Sequence, residues 1–213
     1  MMQSVYRSNV LILGLPVVTE LCGPGSTGLI SILIAVVVPI YNVISVFIFE
    51  FMGVEHPPIK KTLLSIAKNP LIIGSALGFI FLIAGIKLPY VFEKAISSVA
   101  GISTPLSLII LGGFFDFKKL KSSLKQMLIG VTGRLIIVPL ICITAAILLG
   151  FRGSDLVAML AIFATPSAVT SFTMAKQMGG DSDLAAQIVV LSTLFSIVTI
   201  FLWIFFLKQM GFC

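Results

Sequence analysis

Ala164-Thr165-Pro166-Ser167-Ala168-Val169-Thr170 and Gly14-Leu15-Pro16-Val17-Val18-Thr19 are the two stretches on which the fold turns. Each places a small residue two positions before a proline inside a short apolar segment. Each is followed by a glycine-containing turn, Gly179-Gly180-Asp181 or Gly23-Pro24-Gly25, and then by a long uncharged span, 184–207 or 27–49. Proline removes an amide donor and its ring clashes with the carbonyl four residues back, so a helix is expected to open there. The sequence thus predicts two matched, interrupted helices. Pro39, Pro105 and Pro139 lack the matched context and read as simple kinks.

Outward from these stretches the chain is apolar. Of 213 residues, 58% are hydrophobic and only 10% charged, with a mean hydropathy of +1.18. Soluble chains carry nearer 25% charge, so there is too little here to cover a water-facing surface. Soluble enzyme, nucleic-acid binder and disordered tail are all disfavoured. Seven apolar segments are predicted, at roughly 8–22, 27–52, 70–88, 91–115, 123–149, 154–178 and 183–208. The long ones suffice to cross a hydrocarbon core of about 30 Å as helices. They are too long, and alternate too little, for strands. The first fifteen residues lack a basic region followed by a small-residue cleavage site, so no removable signal peptide is predicted. Residues 57–69 carry lysines on one face and aliphatics on the other, which suits a helix lying at the membrane surface or a plain connection. Cys22, Cys142 and Cys213 have no metal-like spacing, and His56 is the only histidine, so neither metal nor cofactor is expected.

Charge position sets the orientation. Arg7, Lys60, Lys61, Lys68, Lys118, Lys119, Lys121, Lys125 and Lys176 fall on one side of the alternating segments, whereas Lys87, Lys94, Arg152 and Lys208 fall on the other. Nine against four places the N-terminus in the cytoplasm and the C-terminus outside. The Pro16 segment then runs outward and the Pro166 segment inward, an inverted relation. Short, interrupted segments at corresponding places in inverted halves point to the binding site of a secondary transporter.

Within those segments, Thr165 is placed to N-cap the half-helix that follows Pro166, and the amides at 167–169 would attract an anion. Arg134 lies in Gly133-Arg134-Leu135-Ile136-Ile137 with apolar residues on both sides. An intramembrane guanidinium is costly and marks function by default. It could offset an anionic substrate, bond to carbonyls freed at a break, or snorkel to the lysine layer. Asn9, seven residues before Pro16, could bond a carboxylate or serve the start of its helix. Gln187, Ser192 and Ser196 could line the same cavity or pack helices. The Gly74–Gly78 pair admits a homodimer reading.

These residues resemble the auxin efflux carrier family of membrane transporters, which includes plant auxin exporters and bacterial organic-acid permeases. The run Gly150-Phe151-Arg152-Gly153 followed by Ala164 to Gln177 is similar to its last two helices, and Arg7 to Pro16 to its fourth. Asn69-Pro70 resembles the start of its sixth helix, and Arg134-Leu135 with Pro139 its eighth. The resemblance implies an all-α membrane fold of two inverted five-helix repeats, with two proline-broken helices crossing at the substrate site. On that pattern residues 1–52 are the remainder of the first repeat and 70–213 a complete second one, within a single membrane domain. Three preceding helices of the pattern are missing, as expected of a truncated product, a fragmentary gene model or half of a split carrier. Asn9 matches the asparagine expected to meet a substrate carboxylate. The expected substrate-binding set is Asn9, Gly14, Pro16, Arg134, Thr165, Pro166 and Ser167.

The reading that follows is a plasma-membrane secondary transporter for a small organic anion, a carboxylate, moving by alternating access. It is not an enzyme and engages the lipid bilayer rather than nucleic acid. Proton coupling is an open alternative, although Glu20, Glu50, Asp155, Asp181 and Asp183 all lie near segment ends. A seven-helix receptor predicts the opposite placement of the N-terminus, and a membrane enzyme lacks catalytic residues within a span. A carrier fragment that transports nothing is the remaining alternative.

Overall fold

The computed structural model describes residues 1–52, 64, 66–115 and 123–212. Most of the expected surface helix at 57–69, together with His56, Lys60, Lys61, Lys118, Lys119, Lys121 and Cys213, lies outside the described residues.

All regular elements among the described residues are helical: α1 (Met2–Tyr6), α2 (Val10–Cys22), α3 (Thr27–Met52), α4 (Pro70–Ile83), α5 (Tyr90–Phe114), α6 (Leu124–Leu148), α7 (Gly153–Phe163), α8 (Thr170–Gln177) and α9 (Ser182–Gln209). Four of them, α3, α5, α6 and α9, are long and apolar enough to cross a membrane, and α2, α4 and α7 are shorter apolar helices. The protein is an all-α, multi-pass membrane protein. Local chemistry starts several helices. The Asn69 side chain accepts from the Leu71 amide ahead of Pro70 at the first helical position, and Asp181 accepts from the Leu184 amide at the start of α9.

The second interruption falls where Pro166 places it, between α7 and α8. The first does not fall at Pro16. It lies at Arg7–Asn9, between α1 and α2, and α2 runs unbroken through Pro16. A wide π turn over Val10–Gly14 precedes the proline, with the Leu15 amide bonded five residues back to the Val10 carbonyl. The change of register carries the carbonyls away from the pyrrolidine ring and already leaves one carbonyl without an amide, so proline costs little there. The same device recurs in α6. A π turn over Gly133–Ile137, closed by the Val138 amide on the Gly133 carbonyl, precedes Pro139. Pro139 would have served the Leu135 carbonyl four residues back, and the Trp203 indole N–H donates to that oxygen at 3.2 Å.

The chain forms two compact units, Met1–Ile34 with Ile110–Cys213, and Ala35–Ile109. In the first, Ile143, Ala146, Leu156, Leu160 and Leu207 form a core shared by α6, α7 and α9. Met127, Val131 and Leu135 of α6 pack on Leu184 and Ile188 of α9, and Leu111 of α5 joins Val169, Phe172, Ala186 and Val189. Close approach requires glycine at one point. A Cβ on Gly14 would stand 2.9 Å from the Ala161 carbonyl oxygen, so α2 can lie directly against α7 only without a side chain there. In the second unit α4 buries none of its residues, and Ile80, Leu82 and Ile83 face outward. Such apolar surface is stable in hydrocarbon, where no water penalises it.

Candidate transport site

Where the two interruptions meet, the backbones pair. Ser8 and Ser167 form an antiparallel bridge, flanked by the Asn9 amide on the Pro166 carbonyl at 2.9 Å and the Ala168 amide on the Arg7 carbonyl at 3.2 Å. In a pair flanked this way the opposed residues do not bond each other through the backbone, and their side chains are brought close on one face. The crossing is thus a short piece of antiparallel ladder inside a helical protein, and it meets part of the backbone demand that the breaks create.

The opposed serine hydroxyls are both buried, and neither Oγ has a hydrogen-bond partner in the protein. Further buried oxygens without a partner are Gln3 Oε1, Ser4 Oγ, Ser171 Oγ and Gln187 Oε1. A buried polar atom left unmade costs about 1–3 kcal/mol. Native proteins carry few of them, and each calls for an explanation. Asn9 is buried as well, and its side chain makes no cap bond to α2.

Arg134 is fully buried and does not snorkel. Its Nε donates to the Thr165 carbonyl at 2.7 Å and its Nη2 to the Ile162 carbonyl at 2.9 Å. Its Nη1 donates to the Tyr6 and Val5 carbonyls at 3.1 and 3.3 Å. Those oxygens belong to the last turns of α1 and α7 and to Thr165 in the break before Pro166, where carbonyls have no helical amide above them. Of the roles open to this residue from its sequence context, bonding to freed carbonyls is the one the geometry displays.

Several expected features differ. Thr165 does not N-cap α8; its hydroxyl donates back to the Ala161 carbonyl at 2.8 Å, so it closes α7 instead. A threonine hydroxyl reaches a carbonyl four residues earlier more readily than amides beyond an intervening proline. The Ser167 amide is held by Ser192 Oγ at 3.1 Å and the Ala168 amide by Arg7, so two of the amides expected to greet an anion are already committed. Gly14 packs against α7, and Pro16 is exposed, away from the ladder formed by residues 7–9. Arg134, Thr165, Pro166, Ser167 and Asn9 are brought together by direct bonds at the crossing. Ser196 bonds within its own helix, to the Thr193 carbonyl.

Arg7, one of the nine charges that set the orientation, is buried, with its Nη groups donating to Thr170 Oγ1 and Met174 Sδ of α8. Ser8 likewise stood outside the expected set. A single arginine ahead of an apolar segment reads as a flanking charge, and nothing in its sequence neighbourhood distinguishes it from one. Among the described residues, the buried charged side chains are these two arginines, Arg7 and Arg134.

The family described as membrane transport protein matches residues 1–204. An uncharacterized transporter of Methanocaldococcus jannaschii is 27% identical over 147 residues, covering 68% of this chain and 48% of that protein. The chain therefore spans about half the length of the curated relative it matches. Matched over nearly its whole length, and built on two interrupted helices that cross, the chain belongs to the membrane transport protein family, of the auxin efflux carrier type.

Proposed function

We propose that the crossing binds a small organic anion, a carboxylate, and that the chain carries the binding half of a secondary transporter working by alternating access. The observation that carries the reading is the charge of the interior: among the described residues both buried charged side chains are arginines, Arg7 directly precedes Ser8, and Arg134 bonds the carbonyls of Tyr6 and Thr165, each two residues before a buried serine hydroxyl that lacks a partner. In a low-dielectric interior, two positive charges with no buried carboxylate beside them favour an anionic occupant. Ser8 and Ser167 can each donate a hydrogen bond to it, and the Asn9 carboxamide adds donors at the same strand. Gly14 and Pro16 of the expected set support this reading only indirectly, through the packing and register of α2. The repeat boundaries proposed are 1–52 and 70–213, with the N-terminus in the cytoplasm and the whole in the plasma membrane.

Reconstituted protein in liposomes tests the reading. Uptake of radiolabelled mono- and dicarboxylates is measured under an imposed pH gradient and, separately, under a potassium-diffusion potential. The expected result is saturable flux of at least one carboxylate, with KM raised about tenfold or more in the Ser8→Ala/Ser167→Ala double variant, about 1.4 kcal/mol of lost binding. No carboxylate flux under either gradient overturns it. A flux that responds to the pH gradient alone would identify proton coupling.

A further inference from the structure

We propose that the crossing contains a cation cradle that Arg134 already fills, so that the interrupted helices need no exchangeable metal cation to hold their ends together. Four backbone carbonyls, of Val5, Tyr6, Ile162 and Thr165, converge on one guanidinium at 2.7–3.3 Å. Three come from the ends of two different helices, Val5 and Tyr6 of α1 and Ile162 of α7, where a carbonyl lacks its intrahelical amide, and the fourth, of Thr165, lies in the break that follows α7. Unwound carbonyls and half-helix C-terminal ends are the groups that coordinate sodium or protons in secondary transporters built on broken helices. Here the same class of ligand is spent on a side chain of the protein itself.

The guanidinium suits the place. It is permanently charged and offers five donors in a planar fork, and four carbonyls at helix ends bring partial negative charge to it. A sodium ion would have to be desolvated and would leave on each opening to water. A tethered guanidinium is always present. The π turn over Gly133–Ile137 explains how it arrives there: Arg134 sits within the widened turn, and Gly133 lets this part of α6 approach α1, since a Cβ there would lie 3.3 Å from Val5 Cγ1. The cradle carbonyls of Tyr6 and Thr165 lie two residues before Ser8 and Ser167, but the bonds that fill the cradle involve neither serine.

The test is a stability measurement on the purified full chain in detergent, read apart from transport. Arg134→Ala empties the cradle, and its thermal unfolding is followed while guanidinium chloride, sodium chloride or choline chloride is added at equal millimolar ionic strength. The expected result is a Tm for R134A several degrees below the parent, restored in part by guanidinium and not by choline. The parent protein is expected to gain nothing from guanidinium or sodium beyond choline. Should R134A not stay folded in detergent, the fraction recovered as a monodisperse peak when guanidinium is present throughout solubilisation is the readout, with choline as the control. No recovery or stabilisation of R134A by guanidinium overturns the cradle, and sodium-specific stabilisation of the parent overturns its being filled. Loss of carboxylate flux in liposomes would leave both outcomes readable.

Discussion

A guanidinium removed from water costs several kcal/mol unless its donors are met; Arg134 meets that demand by leaving its own helix, and Arg7 meets it through its Nη groups while its Nε has no hydrogen-bond partner. Arg134 reaches backbone carbonyls of α1 and α7, and Arg7 reaches α8. The serines at the crossing divide by the same accounting. Ser192 Oγ accepts the buried Ser167 amide and donates to Val189, so Ser192→Ala is expected to cost about 1–3 kcal/mol by leaving that amide unmet. Ser196 is buried but its hydroxyl bonds only within its helix, and Ser196→Ala is expected to cost less than Ser192→Ala because it leaves no amide of another element unmet. Thermal unfolding of the two variants side by side checks the difference, and equal losses would refute it. Gly14→Ala forces a Cβ to 2.9 Å from a backbone oxygen that cannot swing aside. A loss of about 1–3 kcal/mol is expected from such overpacking, seen as a lowered Tm.

At the scale of elements, proline behaves differently according to the turn before it. Pro166 opens a helix, whereas Pro16 and Pro139 each follow a π turn and sit in continuous helix. Pro139→Ala is therefore expected to leave stability nearly unchanged, whereas Ala145→Pro, on the exposed face of the same helix, removes an intact bond and should cost about 3 kcal/mol or more. The Trp203 indole holds the carbonyl that Pro139 leaves without an amide. Trp203→Phe is expected to be more damaging beside Pro139 than beside alanine, because the new amide at 139 can serve the Leu135 carbonyl. A double-mutant cycle on Tm measures that coupling, and a coupling of zero would separate the two residues. Residues 7–9 show why one break was legible and the other was not. Pro166 carries its own signal, whereas Arg7-Ser8-Asn9 holds no helix breaker and leaves the helix because residues 166–168 supply the backbone partners.

For the whole molecule, the distribution of lysines and arginines predicts which loops face which side of the membrane. In a cysteine-free background, Arg152→Cys between α6 and α7 should react with an impermeant thiol reagent in intact cells. Gly180→Cys between α8 and α9 should react only after permeabilisation; the reverse pattern would invert the orientation. Sequence by itself determined the membrane setting, because 58% hydrophobic residues with 10% charge leave no alternative solvent for these helices. It also determined the seven apolar segments, whose lengths follow from the bilayer, and the break at Pro166, which follows from a missing amide. Tertiary structure alone decided where the first helix opens, which arginines are buried and which serines face each other. Those depend on bonds between residues more than 120 positions apart, such as Arg134 to Val5 and Asn9 to Pro166. No local propensity encodes a partner that only the fold brings into reach.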